Sequence, residues 1–439
     1  MVARRTISER TVKYLLLEDH VIIDVLSQTS TKQINRLHHI IIWIVLKSSA
    51  TITLPLHGGH APSHLIRRMI KLSYAISKVI VDEYGQQELL RRLSDPLWFQ
   101  AFGCVLGFDW HSSGVTTVVT GVMKQSLKEE IHGITITGGK GKKSTETKND
   151  IPKLAEKHYN LSSAKIDNLL YASKMAAKID NAAVQDGYSL YHHVILFDKQ
   201  GNWAVVQQGM NQNNKMARRY HWISDCKQSF VSEPHAGIIS EYKSRNTLDM
   251  TSKNSLENQK ISVDLARGDV NSLKSSVFKI AATYSQEQRT TLDSWIPSDD
   301  PNTTEYKIYE NRKKEYMREH YEMPRRLDWD VFRKTYDIQP QSYEQLISIP
   351  GVGPAAIRAL SLIGEIIFGT KASWQDPVKY NFAHGGKDGV PYPVARKTYD
   401  KSISYLSSAI EGAEIEREER IKALRKLAEY SSRMFNQAN

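Results

Sequence analysis

The stretch SIPGVGPAAI (residues 348–357) sets two glycines two apart, a proline directly after the second, and an apolar run beyond. Upstream, Tyr343 to Ile349 reads as a short helix with Leu346, Ile347 and Ile349 apolar. Downstream, Pro354 to Ile367 reads as a second helix, with Ala356, Ile357, Leu360 and Ile363/Gly364 at helical spacing. The link Pro350-Gly351-Val352-Gly353 is too short for anything but a tight turn. Glycine reaches the positive φ values such a turn needs and lets another backbone come close. Proline suits the first helical position, where its missing N–H would be unpaired anyway. The turn and the second helix then aim N–H groups outward at the positive end of a helix dipole, a seat for an anion.

This stretch resembles a helix-hairpin-helix, the module many DNA repair proteins use to hold a backbone phosphate without reading sequence. The resemblance implies DNA contacts from Pro350, Gly351, Val352 and Gly353, with Arg358 one turn into the second helix adding charge. Ile357 departs mildly, standing where the module usually has a small residue. The competing reading is a helical hairpin packed into the core, its glycines serving the turn alone. One copy is visible, and single copies bind weakly, so further nucleic-acid contacts are expected.

The chain has 439 residues, enough to bury a large core and to hold two domains or more. A net charge of +11 and a pI near 9.3 fit a polyanionic partner. Cys104 and Cys226 are too far apart for a cysteine-rich metal site, so a reduced, cytoplasmic protein without structural zinc is expected. Ile40 to Leu46 (IIIWIVL) is strongly apolar, but a run this short does not span a bilayer, and no membrane partner is expected. Residues 1–50 read as an atypical N-terminal extension. Two readings stand side by side, an amphipathic helix over Val12–Leu26 and translation starting further in, and a peptide from residues 6–35 in mass spectrometry of the native protein would end the second.

Along the rest of the chain, residues 51–240 read as an α/β domain with a mixed sheet. Thr51–Leu54, Phe102–Phe108, Val115–Val122 and Gly133–Thr137 suggest strands; Ser63 to Asp82, Gln86–Leu93, 151–159 and 162–183 suggest helices. His193–Phe197 and Trp203–Gln208 form a hairpin across Asp198-Lys199-Gln200-Gly201, which has strong turn chemistry. Residues 241–334 read as a polar and charged, mostly helical bridge, 335–410 as an all-α helix-hairpin-helix domain, and 411–439 as a charged helical tail.

The motifs LPLHGGHAP, RLSDPLWFQAFGCVLGFDWHSSGVTTVVTG, GGKGK, DGYSLYHHVILFDKQGNWAVVQQGMN, ARRYHW, EPHAGI, MPRR and DPVKYNFAHGGKDGVPYPV together resemble the domain-of-unknown-function family numbered 763, over about residues 51–415. The resemblance implies a prokaryotic cytoplasmic protein, archaeal or bacterial, with a helix-hairpin-helix and a role in DNA repair or processing.

The chemistry must come from residues. A nuclease needs carboxylates, often aided by histidine, to hold Mg²⁺ or Mn²⁺ beside a phosphate. Asp109 ends an apolar run and opens DWHSSG, resembling how ribonuclease-H-like nucleases present a metal aspartate. Asp109, His111 and Asp198 are the catalytic candidates; His57, His60, Glu233 and His235 join Asp109 as metal candidates. Asp198 is also a natural turn former, and His192 and His193 face opposite ways if they lie in a strand. Gly138-Gly139-Lys140-Gly141-Lys142 is a phosphate-loop candidate without the P-loop spacing. Lys215, Arg218 and Arg219, interleaved with Tyr220 and Trp222, suit single-strand contacts, and Lys387 follows the helix-hairpin-helix. The expected function is a divalent-metal-dependent nuclease acting on structured or single-stranded DNA beside repair partners; the alternative is a non-catalytic DNA-binding adaptor.

Overall fold

The computed structural model describes residues 63–108, 113–225, 229–240, 243–244, 246–284, 321–378, 380–381 and 396–435. Helices α1 (Ser63–Tyr84) and α2 (Gln86–Leu93) fall where apolar spacing puts them. The next two elements correct the sequence reading, because Phe102–Phe108 and Val115–Val122 are not strands. They belong to α3 (Pro96–Leu106) and α4 (Gly114–Ser126). An apolar run does not by itself separate a buried helix from a buried strand. The start of α3 decides it: the Asp95 carboxylate accepts from Leu97 N and Trp98 N at 2.8 and 3.3 Å, with Pro96 as the first helical residue. In α4 the Val and Thr side chains favour a strand, but burial of Val115, Val119, Val122 and Met123 outweighs that weak preference. A helix capped by Gly107, not a strand, therefore fills this segment.

After the single turn α5 (Glu129–His132) come β1 (Ile134–Lys140), α6 (Thr147–Tyr159) and α7 (Ser163–Lys178). A π-helical turn, Ile179–Ala183, joins α7 to β2 (Val184–Gln185). Then follow β3 (Ser189–Asp198), β4 (Trp203–Asn211), β5 (Met216–Ile223), β6 (Gly237–Ser240) and β7 (Leu248–Asp249), with β8 (Tyr380–Asn381) much later. The main sheet runs β1-β3-β4-β5-β6-β8; its first five strands are antiparallel and β8 adds parallel to β6. The architecture is thus mixed helix and strand around an antiparallel sheet. Strand alternation sends His192, Gln208 and Arg219 to one face, under α3 and α4, and His193, Gln207 and Tyr220 to the other, against α7.

The remaining helices are α8 (Leu256–Arg267), α9 (Val270–Tyr284), α10 (Trp329–Ile338), α11 (Tyr343–Ser348), α12 (Pro354–Ile366), α13 (Arg396–Gly412) and α14 (Arg417–Phe435). One apolar core runs from Ile151 of α6 through Val205 and Trp222 of the sheet to Leu346, Ile357 and Ile363 of α11 and α12. Among the described residues, no helix is long and apolar enough to cross a membrane.

Candidate nucleic-acid interface

The two helices read from SIPGVGPAAI are α11 and α12. Ser342 caps α11, its hydroxyl accepting from Gln345 N at 3.2 Å. The turn closes with Val352 N donating to Ile349 O at 3.2 Å, and Pro354 opens α12. Val352 is 3% exposed and plugs the core, while Pro350, Gly351 and Pro354 are exposed. The amides of Gly351 and Gly353 donate to no described protein acceptor. Gly351 sits at φ +97°, and a Cβ there would lie 2.7 Å from Val331 Cγ2. Gly351→Ala should therefore cost roughly 2 kcal/mol from the left-handed backbone and the clash together, read as a lower urea midpoint at unchanged slope. Gly353 differs: its φ is −131°, and a Cβ would meet nothing nearer than Gly351 O at 3.7 Å.

The hairpin is fastened from outside by residues the sequence reading missed. Lys178, at the end of α7, donates to Ile347 O, Ile349 O and Val352 O at 2.8, 2.7 and 3.0 Å. Lys174, one turn earlier, donates to Ser348 O at 2.9 Å, and Gln185 to Pro354 O at 2.9 Å. Tyr171 donates to Glu344 Oε1 at 2.8 Å. Burial, with a smaller push from Lys174, lowers the Lys178 ammonium to about 8. Nothing in α7 flags these lysines, since cations on an amphipathic helix ordinarily face water. Arg358 is turned back onto the protein: Nε donates to Glu322 O at 3.1 Å and the guanidinium stacks 5.1 Å from the Trp374 ring centroid. Burial pulls its pKa below the ordinary arginine value. Its expected phosphate contact needs that packing undone.

Of the stretch Lys215 to Trp222, only Lys215 is exposed, at φ +56° in the β4–β5 turn. Arg218 and Arg219 are fully buried, which corrects their reading as nucleic-acid contacts. Arg218 bridges Asp186 (2.8 Å) and Asp376 (2.7 Å). Arg219 has no carboxylate within ion-pair distance among the described residues. Its Nε donates to His221 Nε2 at 2.8 Å, and its other nitrogens reach Thr116, Pro96 O and Gln100. Since His221 Nε2 accepts, its Nδ1–H donates to Leu93 O at 3.0 Å, fixing a neutral tautomer. Burial lowers Arg219 to about 9 and drives His221 well below its ordinary value, Arg219 adding to the second shift.

The glycine-lysine stretch is not a free loop. Gly138, Gly139 and Lys140 close β1 against β3, and a Cβ at Gly138 would lie 2.2 Å from His193 O. Gly138 serves strand approach; Gly141 and Lys142 enter a short 3₁₀ turn, with Lys140 and Lys142 exposed. Among the described residues, the metal candidates Glu233 and His235 and the catalytic candidate Asp198 are held by separate partners. Asp198 is buried in its own turn, accepting from Gln200 N and Asn202 N at 2.9 Å each, the turn-former role. His235 is held by Asp180 at 2.5 Å, and the other Asp180 oxygen accepts from Gln207 and Trp222 at 2.5 and 2.9 Å. Glu233 stands on the surface, 3.0 Å from Lys253. Glu233, His235 and Asp198 are thus each held by a different protein partner. His57, His60, Asp109, His111 and Lys387 lie outside the described residues. Among the described residues, Glu129, Glu130 and His158, none of them a candidate read from sequence, bring three potential metal-ligand atoms within 4.8 Å of one another.

A family model matches residues 50–394. The chain belongs to the family described as Protein of unknown function (DUF763). No curated protein and no solved structure matches it. The DUF763 match takes in both the α7 lysines and the α11–α12 hairpin that they hold.

Proposed function

We propose that this chain binds DNA through its sugar-phosphate backbone, using α11, the 349–353 turn and the start of α12 as a helix-hairpin-helix. The observation that carries the reading is the pair of unclaimed amides, Gly351 and Gly353, on an exposed turn beside the first amides of α12. These are donors aimed at solvent where the helix dipole favours an anion. Exposed Lys140, Lys142 and Lys215, and the excess of 59 Lys and Arg over 48 Asp and Glu, supply the further attraction a single hairpin needs.

Gly353→Val tests it. The fold should hold, because the space is open and the backbone is extended. Affinity for a short duplex should fall roughly tenfold, since a side chain there blocks close backbone approach. Wild-type affinity in a variant of unchanged melting temperature would sink the reading. Within it, we favour a non-catalytic adaptor over a Mg²⁺- or Mn²⁺-dependent nuclease, because Asp198, Glu233 and His235 are each committed to separate protein partners. Cleavage of flap or single-stranded DNA with Mn²⁺, abolished by Asp109→Ala, would reverse that preference.

A further inference from the structure

We infer that Lys178 is a built-in cation for the hairpin: its ammonium occupies a cage of three backbone carbonyls and so orients the phosphate-binding Gly353 amide on the other side of the turn. The inference rests on the proposed DNA-binding reading for its purpose, but not for its geometry. Ile347 O, Ile349 O and Val352 O converge on one nitrogen at 2.7–3.0 Å, matching the three donors of an ammonium to three acceptors. These carbonyls belong to the last turn of α11 and the link beyond it, where helix carbonyls lack intrahelical partners and a cation is favoured.

The consequence for the opposite side follows from peptide geometry. In a trans peptide the C=O and the next N–H point in opposite directions. No cis peptide occurs among the described residues. Val352 O points at Lys178, so Gly353 N–H points away from it, out of the turn. Fixing that carbonyl fixes that amide. Lys174 holds the neighbouring Ser348 carbonyl, so α7 grips the strip of backbone from Ile347 to Val352 along its inner edge. Among the described residues no carboxylate lies within ion-pair distance of Lys178, so its charge is answered by carbonyl dipoles alone. Nothing about this role requires a lysine as such. Backbone carbonyls can replace part of the hydration shell of potassium, and the lysine makes an added ion unnecessary.

The test uses the full chain, Lys178→Ala and Lys178→Met, a fluorescent duplex, and potassium chloride against tetramethylammonium chloride at equal ionic strength. Wild type should bind DNA and melt identically in the two salts. Lys178→Ala, with the cage emptied, should bind roughly tenfold more weakly in tetramethylammonium, the loss expected when a charge-assisted contact goes. Potassium should restore much of that affinity and raise the melting temperature. Lys178→Met, whose stem still fills the approach, should be weak in both salts, and it carries the test if the alanine variant does not fold. Wild-type affinity in either variant in tetramethylammonium, or an alanine variant blind to the identity of the cation, would overturn the inference. If no form binds DNA, the proposed function falls, while the cation-dependent melting of Lys178→Ala still judges the cage.

Discussion

Arg218→Met should destabilise the fold by about 3–5 kcal/mol, the cost of leaving buried charges without their partner. The guanidinium lies over the Tyr188 ring and donates to Asp186 Oδ2 at 2.8 Å and to Asp376 Oδ1 and Oδ2 at 3.0 and 2.7 Å. Burial pulls the arginine pKa down, but Asp186 and Asp376 more than offset it, so the cation is held above its ordinary value. Each carboxylate is tied further. Asp186 accepts from Tyr220 Oη at 2.6 Å and Tyr188 N at 3.0 Å; Asp376 accepts from Ser244 N at 2.6 Å and Val378 N at 3.0 Å. The network therefore fastens the segment before β8 to β5 across 158 residues of chain. Methionine keeps the packed stem and removes only charge and donors. Urea denaturation should show the loss, and adding Asp186→Asn with Asp376→Asn should recover part of it, because the triple variant buries no unpaired charge. A single variant as stable as wild type would mean that the arginine contributes nothing net.

Such a network marks where sequence reasoning ends. The hairpin was legible because its signals are local: spacing of apolar residues, a proline at a helix start, glycines in a link too short for anything else. The ends read for its helices, Ile349 and Ile367, lie one residue from those observed. The β3–β4 hairpin was legible for the same reason, Asp198-Lys199-Gln200-Gly201 carrying turn chemistry that its hydrogen bonds bear out. Two strands became helices because α3 is decided by the Asp95-Pro96 cap, a signal available in the sequence, and α4 by burial, which is not. Arg218 and Arg219 look like a basic patch in one dimension. Only β4–β5 pairing and the approach of Asp376 and Gln100 turn them inward. The α7 lysines were illegible outright, since Lys178 is 174 residues from the most distant carbonyl it holds. Long-range partners decide these roles, and no local spacing encodes them.

The second large effect is acid lability beginning well above the carboxylate range. His192 is buried between β3 and α4, its Nε2 3.1 Å from Thr120 Oγ1. That hydroxyl lies 2.7 Å from Thr116 O, to which it gives its one proton, so His192 donates and is the neutral Nε2–H tautomer. Burial, then the neighbouring His193 and Lys140, lower its pKa to about 3 from 6.5. Burial also lowers His193, and His221 lies well below its ordinary value. In each case the unfolded chain takes up the proton more readily than the fold does. The stability these groups confer is therefore complete above pH 6.5 and is lost as pH falls, for His192 until about pH 3. For His192 alone the full difference amounts to about 4–5 kcal/mol at roughly 1.4 kcal/mol per unit of pKa. Asp249 and Glu365, pushed up by burial, act in the opposite sense, which makes a paired comparison the cleaner measurement. Denaturant midpoints for wild type and His192→Gln should converge as pH falls from 6.5 to 5, because the glutamine variant lacks one of the titrating groups. Parallel curves over that interval would show that His192 is protonated as easily in the fold as in the open chain.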